Sequence, residues 1–303
     1  MALDLPLRES HVMSKILLSF SILFLIIKSR TLVYAFALAA MGTFLISSGT
    51  KIPDLTILIK LVPSVYFLAL ATYLYNDLTD YEIDKANTRV TSYSSKKANY
   101  SQTLYSTVGF FTVSILLAFL INIQTGVSSL IFLGLAIVYS HPRIQLKKIF
   151  VVKTIVTASG GFIASLMGAL AVHNISYVGI SASLIFFLMY FINGPLGDIS
   201  DISGDRKGGR QTIPIVLGVP KTFGVIFSTI SSMALILVVN YYFFRLHVVG
   251  LVLGLAICAF IGFRIYKLFS QYENKKKLSQ TRTSVRFGIF AIQISMLIGM
   301  LLN

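Results

Sequence analysis

Residues 154–197, TIVTASGGFIASLMGALAVHNISYVGISASLIFFLMYFINGPLG, run for 44 positions without a charged side chain, and the segment that follows, 198–214, reads DISDISGDRKGGRQTIP. A helix crosses the roughly 30 Å hydrocarbon core of a bilayer in about 20 residues. The uncharged run is too long for one crossing and right for two, with its turn at the polar interruption His173-Asn174-Ile175-Ser176. A second run of this kind, Ala98 to Pro142, holds 45 residues, and its turn falls near Asn122 to Gly126, at Gln124-Thr125-Gly126. Two helical hairpins are expected from these two stretches.

Single crossings follow from the shorter gaps between charges. Arg30 to Lys51 encloses 20 uncharged residues, Lys221 to Arg245 encloses 23, Arg245 to Arg264 encloses 18, and 17 follow Arg286. One more span, Ile57 to Tyr75, leads into the first acidic cluster. The expected fold is therefore all-α, a polytopic membrane protein of nine transmembrane helices, with residues 31–303 forming one transmembrane domain. Residues 1–30 form a cytoplasmic or interfacial segment. Within it, His11 to Lys28 is apolar but flanked by Arg8, Lys15, Lys28 and Arg30, as an interfacial helix would be, with a tenth span as the alternative. A cleaved signal peptide is not expected, because no small-residue cleavage site precedes a soluble domain.

Composition agrees with a membrane protein. Of 303 residues, 55% are hydrophobic and only 12% charged, against about 25% charged in a soluble domain. Mean hydropathy is +0.81. The 26 Lys and Arg exceed the 11 Asp and Glu, for a net charge of +15. In a soluble chain that excess would point to nucleic acid, but no nucleic-acid motif accompanies it, and its distribution reads as orientation. Four alternate loops collect 19 of the 26: Lys85 to Lys97, Arg143 to Lys153, Arg206 to Lys221, and Arg264 to Arg286. The positive-inside rule then makes those loops and the N-terminus cytoplasmic and the C-terminus external, in the cell membrane. Membrane lipids are the implied surroundings, with Lys275-Lys276-Lys277 an anchor for anionic headgroups. The single cysteine, Cys258, excludes a disulfide framework and reads as a packing residue. His11, His141, His173 and His247 are too widely separated to make a histidine metal site.

Seven of the 11 acidic residues fall in two short clusters at cytoplasmic helix ends. In the first, Asn76, Asp80 and Asp84 share a helix face at i, i+4 and i+8, with Asp77 and Glu82 beside them. In the second, Asp198, Asp201 and Asp205 share a face at i, i+3 and i+7. Carboxylates within a membrane normally face protein or a wet cavity, and like charges one turn apart repel. A cation relieves both problems, and all-oxygen ligands favour Mg²⁺ or Ca²⁺. Mg²⁺ binds through one or two carboxylates and completes its shell with water and substrate phosphate. Two acidic faces among basic loops therefore point to a Mg²⁺-bound diphosphate. The plainer alternative is a set of solvated loop acids paired with Lys85, Arg89, Arg206 and Arg210.

The strings Asn76-Asp77-x-x-Asp80-x-x-x-Asp84 and Asp198-x-x-Asp201-x-x-Gly204-Asp205-Arg206-Lys207-x-Gly209-Arg210-Gln211-Thr212-Ile213-Pro214 look like the two aspartate-rich motifs of the UbiA superfamily of intramembrane prenyltransferases. One follows the second span and the other the sixth, as in that family. Tyr139-Ser140 followed by Lys147 resembles a third family element. The resemblance implies nine helices around a central cavity, with Mg²⁺ bridging the motifs and an isoprenyl diphosphate. Asn76, Asp80 and Asp84 would hold one metal-diphosphate side, and Asp198, Asp201 and Asp205 the other, or position the acceptor. It further implies that Lys147 and Arg89 contact the diphosphate and that Tyr139 lines the path of the allylic cation.

The second motif looks most like the archaeal ether-lipid branch, in which a geranylgeranyl group from geranylgeranyl diphosphate is added to geranylgeranylglyceryl phosphate. An aromatic quinone precursor of the hydroxybenzoate or naphthoate type is the alternative acceptor. Three positions depart from the family pattern: Val90 follows Arg89, Gly197 stands where Lys often precedes the motif, and Val152-Lys153 replaces a Gly-Asn pair. A cation transporter is disfavoured because its ionisable groups should lie near the midplane. A CDP-alcohol phosphotransferase is disfavoured by the lack of an Asp-Gly-x-x-Ala-Arg string. Gly160-Gly161 and Gly168 are expected to permit close helix packing.

Overall fold

The computed structural model describes residues 33–86, 100–172 and 176–303. Nine long helices account for most of them: α1 (Val33–Ser48), α2 (Leu55–Ala86), α3 (Tyr100–Phe119), α4 (Ile123–Ser140), α5 (Val152–Leu170), α6 (Tyr177–Lys207), α7 (Val219–Phe243), α8 (Val248–Phe269) and α9 (Lys275–Leu301). A 3-10 turn, Leu146–Lys148, precedes α5, and a short helix, Ile213–Leu217, follows α6. The described residues contain no strand. Eight of the helices are long and apolar enough to cross a membrane, and α1 is a shorter apolar helix of 16 residues. The interfacial segment 1–30 and the turn residues His173, Asn174 and Ile175 lie outside the described residues.

The described part of the uncharged run, residues 100–142, folds as a hairpin, but its turn lies at Leu120 to Asn122, and the expected turn residues Gln124-Thr125-Gly126 open α4 instead. Asn122 caps α4 by accepting from the Thr125 amide at 2.8 Å, and its Nδ2 donates to the Leu170 carbonyl at the end of α5, also at 2.8 Å. One residue thus ends α3, starts α4 and satisfies α5. Asn122→Ala is expected to cost about 1–2 kcal/mol, the sum of a lost cap and an orphaned carbonyl. A lowered midpoint in a thermal or denaturant titration of the purified protein would register it.

Where the structure departs from the spans read off the charges, it does so at helix ends. The 32-residue α2 and 31-residue α6 measure about 48 and 46 Å at 1.5 Å per residue, well beyond the roughly 30 Å core. Both acidic motifs therefore ride on helical extensions. The expected basic loop Arg264 to Arg286 is corrected: Arg264 and Lys267 belong to α8, while Lys275 to Lys277, Arg282 and Arg286 belong to α9. Charge marks where a helix leaves lipid and does not mark where it unwinds.

Two buried apolar cores divide the helices. One is built by α1 to α5 around Phe44, Leu68, Leu74 and Met167, and the other by α6 to α9 around Phe186, Met189, Leu237 and Met296. Helix α1 lies between them and packs on α2, α5, α6 and α9, while Tyr190 of α6 packs against both cores. Small residues make the approach possible. A Cβ on Gly168 of α5 would stand 2.0 Å from the Ala40 carbonyl oxygen of α1, and one on Gly250 of α8 would stand 2.8 Å from Cα of Gly299 in α9. Polar side chains bind the same junction: Thr43 and Ser165 hydroxyls meet at 2.6 Å, and Gln293 of α9 donates to the Ala39 carbonyl and to Thr43 at 3.1 and 3.2 Å.

Candidate active site

The extensions of α2 and α6 bring the two motifs together at one end of the bundle. Asp80 and Asp205 both meet Arg210, at 3.7 and 3.2 Å, so a single guanidinium joins the motifs. Lys147 donates to Asp80, and Lys153 donates to Asp198 while lying 3.9 Å from Asp205. The contacts form one chain, Lys147–Asp80–Arg210–Asp205–Lys153–Asp198, drawn from α2, the 3-10 turn, α5, α6 and the loop after α6. Asp80, Lys147, Asp198 and Asp205 are each 4–5% exposed. These carboxylates are buried and not solvated, although the pairing with Arg210 expected of solvated acids is present.

Local backbone geometry explains how the cations arrive. Gln145 is left-handed (φ 46°) and Val151 also takes a positive φ (62°) on either side of the 3-10 turn that carries the buried Lys147. Gly209 does the same after α6 (φ 66°), where a side chain would be strained, so that the Arg210 amide returns to the Asp205 carbonyl at 2.9 Å. The Gln211 amide donates to the Lys148 carbonyl at 3.2 Å and ties the two loops together. Pro195 removes one backbone hydrogen bond of α6 a turn before the motif.

Beneath the charged chain lie two cavities that share Tyr73, Thr157 and Tyr190. The first, about 190 Å³, is lined by Asn76, Tyr139 and Ser140 near the charges and by Phe36, Phe132 and Tyr190. Phe36 is the hub of its aromatic wall, with ring centroids 4.9 Å from Tyr190, 6.3 Å from Phe132 and 6.5 Å from Tyr73. The Ser140 hydroxyl donates to Asn76 Oδ1 at 2.9 Å. The second cavity, about 280 Å³, is lined by Lys153, Asp198, Asp201, Arg282, Arg286 and Phe290.

Of the residues expected at the site, Asn76, Asp80, Tyr139, Lys147, Asp198, Asp201 and Asp205 line these cavities or join the ion-pair chain. Asp84 lies in α2, but its side chain lies outside the described residues, as does Arg89. The sequence pointed to no site role for Lys153, Arg282, Arg286, or the wall residues Phe36, Tyr73, Phe132 and Tyr190, and to Arg210 only as a partner of solvated acids. Arg210 was signalled by its place inside the second motif. The aromatic wall carried no signal, because such residues also suit any lipid-facing helix.

Among the described residues no three His, Cys, Asp or Glu side chains converge as a ready-made metal cage. What the site does hold is unsatisfied oxygen: Asp198 Oδ2 and Asp205 Oδ2 are buried and make no hydrogen bond. An unpaired buried acceptor is costly, more so when charged. Hard oxygen donors that are few and open suit a divalent cation that takes the rest of its shell from phosphate and water.

Comparison with known proteins bears on the fold and the family. Digeranylgeranylglyceryl phosphate synthase of Methanosphaera stadtmanae is 29% identical over 230 residues, which cover 75% of this chain and 81% of that protein. A solved structure described as giving insight into digeranylgeranylglyceryl phosphate synthase in membranes superposes with a TM-score of 0.76 at 17% identity, over 94% of this chain and 99% of that one. A UbiA homolog from Archaeoglobus fulgidus, bound to GPP and Mg²⁺, superposes with a TM-score of 0.69 at 16% identity, over 89% of this chain and 98% of its own. At these identities the structural likeness is one of fold. The family description that matches residues 33–291, nearly all of the described bundle, is that of the UbiA prenyltransferases, and the chain belongs to the UbiA prenyltransferase family.

Proposed function

We propose that the chain is a Mg²⁺-dependent prenyltransferase that moves a geranylgeranyl group from its diphosphate to geranylgeranylglyceryl phosphate in archaeal ether-lipid synthesis. The observation that carries the reading is the convergence of both aspartate motifs and three cations on the head of an aromatic-walled cavity. The similarity to the Methanosphaera synthase over three quarters of the chain supports the acceptor.

Asn76, Asp80 and Asp84 from α2, with Asp198, Asp201 and Asp205 from α6, are the oxygen donors available to the metal. Mg²⁺ held there supplies Lewis-acid neutralisation of the diphosphate oxygens. Lys147, Lys153 and Arg210 stand among the same carboxylates and donate to phosphate oxygens, with Arg89 assigned the same role. Cationic donors placed where charge develops stabilise the departing group. The bond from the allylic carbon to diphosphate oxygen breaks, and its electron pair leaves with diphosphate. The π faces of Tyr139 and Tyr190, with Phe36 and Phe132, shelter the allylic cation. A hydroxyl oxygen of the acceptor then bonds to that carbon, and its proton passes to the Asp201 carboxylate in the adjoining cavity. Enclosure by helices excludes the water that would otherwise capture the cation. The motif-bearing loops and the N-terminus face the cytoplasm and the C-terminus faces outward, a topology supported by the 19 basic residues on the former side.

The test incubates purified protein and labelled geranylgeranyl diphosphate with geranylgeranylglyceryl phosphate or 4-hydroxybenzoate, with Mg²⁺ or with EDTA. The diprenyl glyceryl phosphate should form with Mg²⁺ alone. An aromatic product without the ether lipid would overturn the acceptor, and full turnover in EDTA would overturn the metal.

A further inference from the structure

Every buried carboxylate of the ion-pair chain has a cationic partner, yet two guanidiniums beside it do not have the converse. Arg282 and Arg286 lie one turn apart on α9, half-buried, and both line the 280 Å³ cavity. Among the described residues no ion pair joins either of them to a carboxylate, whereas Lys147, Lys153 and Arg210 are all paired. The Arg282 Nε is buried and makes no hydrogen bond. Like charges at i and i+4 repel, and the Asp198 and Asp201 carboxylates that share the cavity attract Arg282 only from beyond ion-pair distance. With no ion pair among the described residues closed to either guanidinium and the Arg282 Nε unpartnered, the pair keeps donor capacity for an incoming anion.

The cavity specifies what kind. Its lining combines the two arginines with the apolar Ile289, Phe290 and Ala35, so it suits an anionic head on an apolar chain. It is separate from the Asn76–Tyr139 cavity but shares Tyr73, Thr157 and Tyr190 with it, which places two ligands side by side. Gly197 completes the arrangement. The Arg282 guanidinium occupies the space beside it, with Nη2 only 3.0 Å from where a Cβ at 197 would stand. Glycine at 197 thus leaves the room that a cation from α9 fills.

We infer that Arg282 and Arg286 bind the phosphate monoester of the prenyl acceptor and thereby hold its hydroxyl toward the allylic carbon. The inference rests on the phosphorylated acceptor proposed above and assigns its headgroup a seat distinct from the donor diphosphate. Guanidinium pairs suit phosphate because their planar donors can bind two oxygens at once.

The test measures KM and kcat of the full-length protein for geranylgeranylglyceryl phosphate, for its dephosphorylated counterpart geranylgeranylglycerol, and for the donor. Arg282→Gln/Arg286→Gln is expected to raise KM for the phosphorylated acceptor about 30- to 100-fold, the scale of one or two lost charge-assisted hydrogen bonds. The preference for the phosphorylated acceptor over geranylgeranylglycerol should collapse, while KM for the donor stays within about threefold, small on the scale where tenfold marks one such bond. Arg282→Lys should recover part of the loss. So should Gly197→Lys placed on an Arg282→Ala background, because it returns a cation to the same space. A rise in donor KM with an unchanged acceptor preference would overturn the inference and assign the arginines to the diphosphate. An equal loss on both acceptors with no rescue by either lysine would reduce them to packing. Wild-type protein that prenylates no geranylgeranylglyceryl phosphate would instead sink the proposed function, and this seat with it, a result read before any variant is made.

Discussion

Asp80→Ala is expected to lower prenyl transfer by at least about 10³-fold, the upper range for losing one electrostatic stabiliser of a transition state. Asp80 is 4% exposed on the α2 extension, receives a hydrogen bond from Lys147 and faces Arg210 at 3.7 Å. Alanine removes a proposed metal oxygen and also strands Lys147, itself 4% exposed, without its partner. Breaking a buried pair from one side costs about 3–5 kcal/mol, so the single variant loses stability together with activity. The double variant Asp80→Ala/Lys147→Met separates the two effects. Removing both charges and filling the space with an apolar chain is often neutral or stabilising, so its thermal midpoint should return toward wild type. Its turnover should not return. A double variant with restored turnover would mean that Asp80 serves only to neutralise Lys147.

The largest expected effect on folding comes from a single methyl group. Gly168→Ala places its Cβ 2.0 Å from the Ala40 carbonyl oxygen and 2.9 Å from the Phe44 nitrogen, both backbone atoms of α1 that no rotamer change can move. Helices α1 and α5 must separate, at a cost of about 3 kcal/mol or more, the upper end for overpacking. Because Ala35 and Phe36 of α1 line the two cavities, the displacement also reaches the site. Gly160→Ala, two turns earlier on the same helix, is the matched control. Its Cβ would meet Phe132 ring atoms at an ordinary 3.6 Å. Without a clash, replacing a helical glycine gains about 0.5–1 kcal/mol. Heating detergent-solubilised protein and measuring the soluble folded fraction should put the two variants on opposite sides of wild type. Equal midpoints would contradict the tight α1–α5 crossing.

The bundle was legible in the sequence because lipid imposes a length on uncharged runs. The hairpin of α3 and α4 and the order of helices and motifs all follow from that constraint. Helix ends were not legible. Arg282 and Arg286 precede the last apolar stretch and read as loop charges, yet they are helical and face a cavity, because α9 begins seven residues before Arg282. The site was legible where chemistry needs residue types that lipid disfavours, as with Asp80, Asp198 and Asp205. It was illegible where residues serve two ends, as with the aromatic wall. Lys153 showed the intermediate case. It was visible as a departure from the family pattern, but only the fold brings it from α5 to Asp198 and within 3.9 Å of Asp205.

In the proposed function, carboxylates from α2 and α6 together hold a metal-bound isoprenyl diphosphate. The most direct test is a structure of the protein with Mn²⁺ in place of Mg²⁺ and a non-reactive thiolodiphosphate analogue of the donor, with the metal located by anomalous scattering. The predicted result is metal within about 2.0–2.3 Å of carboxylate oxygens, a range spanning octahedral Mg²⁺ and slightly larger ions. Asp198 or Asp205 from α6 and Asp80 from α2 should be among its ligands, with Lys147, Lys153 and Arg210 turned to phosphate oxygens. Diphosphate bound elsewhere, with the chain from Lys147 to Asp198 still closed and no metal between the motifs, would contradict the account.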